Sequence, residues 1–418
     1  MLFDLSLAMV AAAAATPTPD AEIRAVTEAL TAALVETRRD LHRQPELSNR
    51  EERTGRLVAE RLEALGLQVR HPVARTGVVG VLEGGRPGRV VALRADMDAL
   101  PIQEKGDAAY RSQNPGVMHA CGHDAHTAML LGAAEVLAKL KARLPGTVVF
   151  LFQPAEEGPP EGEAGGAALM VAEGALDAPK VEAIFGLHVG SWVEAGRIGW
   201  SAGAVFASAD SFTIEVQGLR AHGAQPHMGI DPIPVAAEIV QALQLVVSRQ
   251  LDARTPKVIT IGQIHGGTRA NILAERVSMD GTLRTFDAAV RAEIKRRIER
   301  IVKGVAAAHG TTALLRVQGS GSSPTVNDAA LAHASRPALE RVFGKAGVVE
   351  AEPQMVAEDF PVYAEKVPGL FLLLGTRNDA KGIASLNHSD TFDIDEATLP
   401  LGVRALATLA WDYLERPR

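Results

Sequence analysis

Apolar residues recur at helical spacing near the start of the chain. Ile23, Val26, Leu30, Leu34 and Leu41 predict an amphipathic helix over 21–43. A second helix is expected over about 50–65, with Leu57, Val58, Leu62 and Leu65 inward and Gly66 as its stop. Two continuous apolar runs, Val78–Leu82 and Val90–Leu93, read as strands separated by a turn at Gly84-Gly85. Ala125–Leu140 is a helix with a broad apolar face, and Val148–Phe152 and Ile184–Val189 are buried strands. Strands alternating with helices predict an α/β layer fold around a largely buried sheet.

The pattern changes near residue 200. Ser211–Val216 alternates like a half-buried strand, and Pro234–Ser248 is helical. Val258–Ile264 and Arg276–Phe286 are strands, Ala288–Ala307 a long charged helix, and Thr312–Val317 a strand. The order β-α-β-β-α-β is the split pattern of a ferredoxin-like unit, here inserted into the α/β layer. Gly319–Ser323 reads as a linker, after which Asp328–Phe343, Leu370–Leu374 and Leu399–Leu414 resume the first pattern. The expected domains are 21–203 with 320–418, and an inserted 204–319. Residues 1–20 are set apart. Leu5–Ala15 followed by Thr16-Pro17-Thr18-Pro19 resembles a signal-peptide core without its basic start, or a disordered tail.

Composition narrows the function. The chain has 418 residues, 47% hydrophobic and 22% charged, enough apolar material for more than one core. A net charge of −7 lacks the basic surface that nucleic-acid phosphates require. No apolar run reaches the ~20 residues of a membrane span. Cys121 is the sole cysteine, so disulfides and multi-cysteine zinc sites are excluded. Localisation follows residues 1–20: periplasmic or secreted if they are a signal peptide, cytoplasmic otherwise.

Chemistry concentrates in a few segments. His119-Ala120-Cys121-Gly122-His123-Asp124-Ala125-His126 packs three histidines, a thiol and a carboxylate before a helix. Cys121 and His123 can converge on one ion if Gly122 turns the backbone. A cysteine nucleophile with His123 or His126 as base is the other reading. Asp96 and Asp98 close the strand from Val90, where α/β sites form. Glu156-Glu157 ends the strand Val148–Phe152; one carboxylate can bind metal while the other faces water. His188 sits inside an apolar strand. His222 lies in a loop of the inserted unit, and Arg284 offers a planar fork for a carboxylate. Glu358-Asp359 and His388 follow in late loops. Nucleotide-binding loops, nucleophile elbows and zinc-deaminase motifs are absent.

In order, RADMDALP, HACGHDAH, FQPAEEG, GLHV, GLRAHGAQPH, ANILAERVSMDGTLRTF, AEDF and NHSDTFDID resemble the aminoacylase-type metallopeptidases of peptidase family M20. The nearest branch holds hippurate hydrolases, N-acyl-amino-acid amidohydrolases and auxin-conjugate hydrolases. The resemblance spans about residues 25–415. It implies a zinc-peptidase-like catalytic domain, a ferredoxin-like lid and a homodimer through that lid. It makes Cys121, His123, Glu157, His188 and His388 the ligands of two divalent metals, with Cys121 bridging. It makes Glu156 the general base and Asp98 the residue that orients His123. His222 would reach a neighbouring subunit's site to stabilise the oxyanion, and Asn271 and Arg284 would contact substrate. Where the branch has Ser-Pro after its histidine, this chain has Ser389-Asp390.

The implied activity is hydrolysis of the amide of N-acyl amino acids, hippurate-like, by water activated at two metals. Zn²⁺ or Mn²⁺ suit the donors best, and Co²⁺ or Ni²⁺ also fit. A dipeptidase or aminopeptidase of the same family is the alternative, followed by a non-catalytic metal-binding protein.

Overall fold

The computed structural model describes residues 18–417, so the apolar segment Leu5–Ala15 lies outside the described residues. The first helix begins at Pro19, inside the stretch set apart from the fold. Proline at the start of a helix loses no hydrogen bond, and the Thr18 hydroxyl accepts from the Ala21 amide. Helices α1 (Pro19–Arg43) and α2 (Glu52–Ala64) precede strands β1 (Gln68–Val73), β2 (Gly77–Glu83) and β3 (Arg86–Asp96). Then come α3 (His123–Lys139), β4 (Pro145–Gln153), α4 (Gly166–Ala172), β5 (Ala183–Glu194), β6 (Ile198–Trp200) and β7 (Ala204–Phe206). The next group is β8 (Ala209–Gln217), α5 (Pro232–Leu245), β9 (Lys257–Gly266), β10 (Arg276–Thr285), α6 (Ala288–Ala308) and β11 (Ala313–Ser322). The chain closes with β12 (Thr325–Val326), α7 (Ala329–Phe343), β13 (Val348–Glu350), α8 (Pro361–Ala364), β14 (Gly369–Arg377) and α9 (Leu399–Glu415).

Eight strands form one sheet in the order β1-β2-β4-β3-β5-β14-β6-β13. The central strands β4, β3, β5 and β14 are parallel. Their residues alternate between two cores: Val148, Phe150 and Phe152 pack on one face, Val149 and Leu151 on the other. Helices α1, α3, α7 and α9 line the first face, which explains the continuous apolar runs. The Gly84-Gly85 turn does not join neighbouring strands, because β4 lies between β2 and β3.

The second sheet has the order β11-β8-β10-β9, antiparallel throughout. With α5 and α6 it shows the expected β-α-β-β-α-β order and the ferredoxin-like strand arrangement. Ile214, Val216, Ile239, Leu243, Ile294 and Ile298 form its separate core. One expectation is corrected. Gly319–Ser323 is not a linker, because β11 runs to Ser322, which pairs with Ala209 across a register shift. Small residues read as a loop by composition, but here the pairing with β8 decides the backbone. Among the described residues no helix is long and apolar enough to cross a membrane.

Candidate metal centre

The site gathers at the carboxyl ends of the parallel strands, where α/β sheets place their ligands. Asp96 ends β3, Glu156-Glu157 follow β4, His188 lies on β5, and His388 follows β14. Cys121 lies two residues before His123, the first residue of α3. Gly122 between them has φ +88°, and a Cβ there would sit 2.3 Å from Val189 Cγ2. The glycine is therefore required both for the turn and for space.

Two of the candidate donor groups share one sulfur. Cys121, His123 and His188 each offer an atom within 4.8 Å of the others, and so do Cys121, Glu157 and His388. Cys121 Sγ is 3.4 Å from His188 Nε2, and His388 Nε2 is 3.1 Å from Glu157 Oε1. His188 Nδ1 donates to the Val189 carbonyl at 2.7 Å, which leaves Nε2 with its lone pair facing the sulfur. His123 Nε2 is buried without a hydrogen-bond partner, 4.0 Å from Glu157 Oε1 and 3.9 Å from Glu156 Oε2. A buried, unpartnered imidazole nitrogen facing carboxylates and a thiol is the chemistry of a cation site. His126 is different: it donates from Nδ1 to Asp96 at 2.5 Å and accepts at Nε2 from the Val189 amide at 2.8 Å. Both its nitrogens are used, so it orients rather than ligates.

Charge states agree. Burial opposes a proton on His123, but Asp96, Asp98 and Cys121 hold its pKa well above the imidazole range. Hydrogen bonds to Cys121 and Glu157 raise His388 to about 10. Burial and then the nearby Glu358, Glu157 and Asp359 carboxylates push Glu156 well above the carboxylate range. The site thus gathers negative charge that protons or divalent cations would offset. His188 moves the other way: burial and His126 hold it neutral.

The backbone is pinned around these donors. Asp98 Oδ1 accepts from the Glu156 amide and Oδ2 from the Glu157 amide, each at 3.0 Å. The same carboxylate lies 3.3 Å from His123 Nδ1 and accepts from Ser48 Oγ at 2.8 Å. It therefore fixes the histidine and both glutamates. Ala155 and His388 take left-handed φ of 53° and 66°. Such strain in residues other than glycine persists where the surroundings over-determine it, as at a site.

The chain is similar to characterised proteins along nearly its whole length. The model of "Peptidase family M20/M25/M40" matches residues 92–412. This chain belongs to that family. As an M20 member it is a hydrolase acting on amides. It is 41% identical to thermostable carboxypeptidase 2 of Saccharolobus solfataricus, over 90% of this chain and 94% of that protein. It is 40% identical to IAA-amino acid hydrolase ILR1-like 2 of Arabidopsis thaliana, over 91% and 85%. Among solved structures, the Bacillus subtilis YXEP protein, described as a dinuclear metal-binding peptidase of the M20 family, is 34% identical. Its TM-score is 0.79, covering 93% of this chain and 99% of that one.

Within this M20 chain, Cys121, Glu156, Glu157, His188 and His388 line one cavity of about 640 Å³, which Arg284 reaches from β10. His222 and Asn271 do not line it. They lie together at the exposed end of the four-stranded unit, where the Gly223 amide donates to the Asn271 carbonyl at 2.8 Å. Two features escaped the sequence reading. Arg94, fully buried, donates to Asp96 at 2.5 Å, Glu358 at 2.8 Å and Asp359 at 2.9 Å. It gives the late acids Glu358-Asp359 their anchor. Trp192, four residues past His188, joins the cavity wall, its ring centroid 5.9 Å from that histidine. A run of acids matched to a strand arginine is the only signal that pointed to the first.

Proposed function

We propose that this M20 hydrolase is a dinuclear metallo-amidohydrolase that cleaves N-acyl amino acids to a carboxylic acid and a free amino acid. The observation that carries the reading is the Cys121 sulfur shared by two donor groups beside the half-buried Glu156. Cys121, His123 and His188 would hold one divalent ion, and Cys121, Glu157 and His388 the other. Zn²⁺ or Mn²⁺ suit this mixture of thiolate, imidazole and carboxylate, with Co²⁺ and Ni²⁺ as further candidates. When bound, the ions polarise the amide carbonyl and make water easier to deprotonate.

The protein's own groups do the rest. Glu156 takes the proton of the attacking water and returns it to the leaving nitrogen. Asp98 holds Glu156, Glu157 and His123 in mutual register. Arg284 has no hydrogen-bond or ion-pair partner among the described residues, and it faces the cavity. Its fork is therefore available to the carboxylate of the amino-acid moiety. The division into a catalytic unit, 21–203 with 320–418, and a lid, 204–319, belongs to the same reading. So do a homodimer through the lid, His222 as oxyanion donor to the partner's site, and Asn271 as a substrate contact.

Glu156→Gln tests the reading. It keeps the donor set, so metal content by mass spectrometry should match the parent, while turnover of N-acetyl amino acids falls about 10²–10⁴-fold. Near-normal turnover would remove Glu156 as the base. Metal loss with full activity would remove the metal chemistry altogether.

A further inference from the structure

The cavity has one wall without charged groups. Trp192 and Phe206 stand there with ring centroids 5.8 Å apart, and Met355 and Val356 adjoin them through the loop whose Gln354 and Val356 carbonyls accept from the Ala207 amide. Phe206 is 6.0 Å from the His188 ring and Trp192 5.9 Å. The wall is preformed. A Cβ on Gly190 would lie 2.3 Å from the Trp192 ring, so the indole is laid flat on bare backbone.

Arg284 is the sole Arg or Lys among the described residues lining the cavity, and it belongs to the same corner. Thr285, its neighbour, donates to Ser208 Oγ at 3.2 Å, and its carbonyl accepts from the Ser208 amide at 2.7 Å, two residues past Phe206. In an N-acyl amino acid, the carboxylate and the side chain spring from one carbon. Recognition groups for the two must therefore be neighbours, and the acyl group must lie elsewhere. The geometry points to Trp192 and Phe206 as the specificity wall for the leaving amino acid, selecting bulky uncharged side chains, aromatic above all. This rests on the proposed N-acyl-amino-acid reading.

The test compares N-acetyl-phenylalanine, N-acetyl-leucine, N-acetylglycine and N-benzoylglycine on the metal-loaded enzyme. The assignment expects kcat/KM to favour N-acetyl-phenylalanine over N-acetylglycine by about 100-fold, and over N-benzoylglycine as well. Trp192→Ala should cut that preference to roughly tenfold or less, lowering kcat/KM much further for N-acetyl-phenylalanine than for N-acetylglycine; Trp192→Phe should keep most of the preference. Binding gives a second readout. Titrating N-acetyl-phenylalanine into metal-loaded Glu156→Gln should change tryptophan emission, and the change should vanish in the Glu156→Gln, Trp192→Phe double variant. A parent enzyme that prefers N-benzoylglycine, or a Trp192→Ala loss equal for glycine and phenylalanine substrates, would overturn the wall assignment and leave the parent reading intact. Failure to cleave any of the four would overturn both.

Discussion

Gly122→Ala is a one-methyl change with a calculable cost. An L-residue held in the left-handed region loses about 1–2 kcal/mol. The added Cβ also lands 2.3 Å from Val189 Cγ2, where a real contact needs at least a further ångström. Val189 cannot simply retreat, because its amide donates to His126 and its carbonyl accepts from His188 and Asn387. Overpacking of this kind costs about 1–3 kcal/mol. Together the loss is about 2–5 kcal/mol, and any relief must come from moving Cys121 against His123. Denaturant unfolding of metal-free protein measures the first effect, and zinc titration the second. The Val189→Ala partner separates the causes: it removes the clash but not the φ penalty. The double variant should recover about 1–3 kcal/mol relative to additivity, while metal affinity returns only in part. Full stability in Gly122→Ala, or strict additivity in the cycle, would refute the reasoning.

Other outcomes follow from the same description. Arg94→Met strips the buried Asp96 and Glu358 and the half-buried Asp359 of their partner and should destabilise the protein by about 3–5 kcal/mol in urea unfolding; an unchanged midpoint would show the acids need no counter-charge. Arg284→Lys keeps the charge but loses the fork, so KM for N-acyl amino acids should rise about tenfold with kcat little altered. Burial, and then Asp98, raises Glu51 from 4.5 to about 7. Between those values the folded state holds more protons than the unfolded one, so this group's stabilising share is complete below pH 4.5 and lost as pH rises to 7. In metal-free protein, Glu51→Gln should therefore gain on the parent by on the order of 3 kcal/mol across that window. A difference independent of pH would refute the shift.

Much of this was legible because the signals are local. Helix α3 and the β-α-β-β-α-β series show their periodicity within single windows, and Cys121 and His123 stand two residues apart. What was missed depends on distant partners. Strand β1 alternates exposed and half-buried positions up to the buried Val73, a pattern too weak to read before its pairing with β2 is seen. The insertion of β4 between β2 and β3 is a matter of register between segments, invisible to composition. The β11 extension hides behind glycine and serine. Arg94 reads as an ordinary strand residue until Glu358 and Asp359 arrive beside it. His222 and Asn271 sit away from the cavity of their own chain.

The ferredoxin-like unit begins and ends on paired strands: Ala209 of β8 faces Ser322 of β11. Its two ends therefore leave the α/β layer side by side. To the rest of the chain, the whole excursion is topologically a short loop, closed by its own sheet rather than by the host. That matters for Asn387, which donates to the Cys121 carbonyl across 266 positions of sequence. On a flexible chain the entropy of closing a loop grows with its length, though slowly. Here much of that length is taken up by a body that folds back on itself. During synthesis, the donors up to His188 emerge early and wait, and the site closes only when the final stretch brings His388 home. A ribosome stalled before that point would hold a half-built centre, without His388 and without the Asn387 hydrogen bond to Cys121.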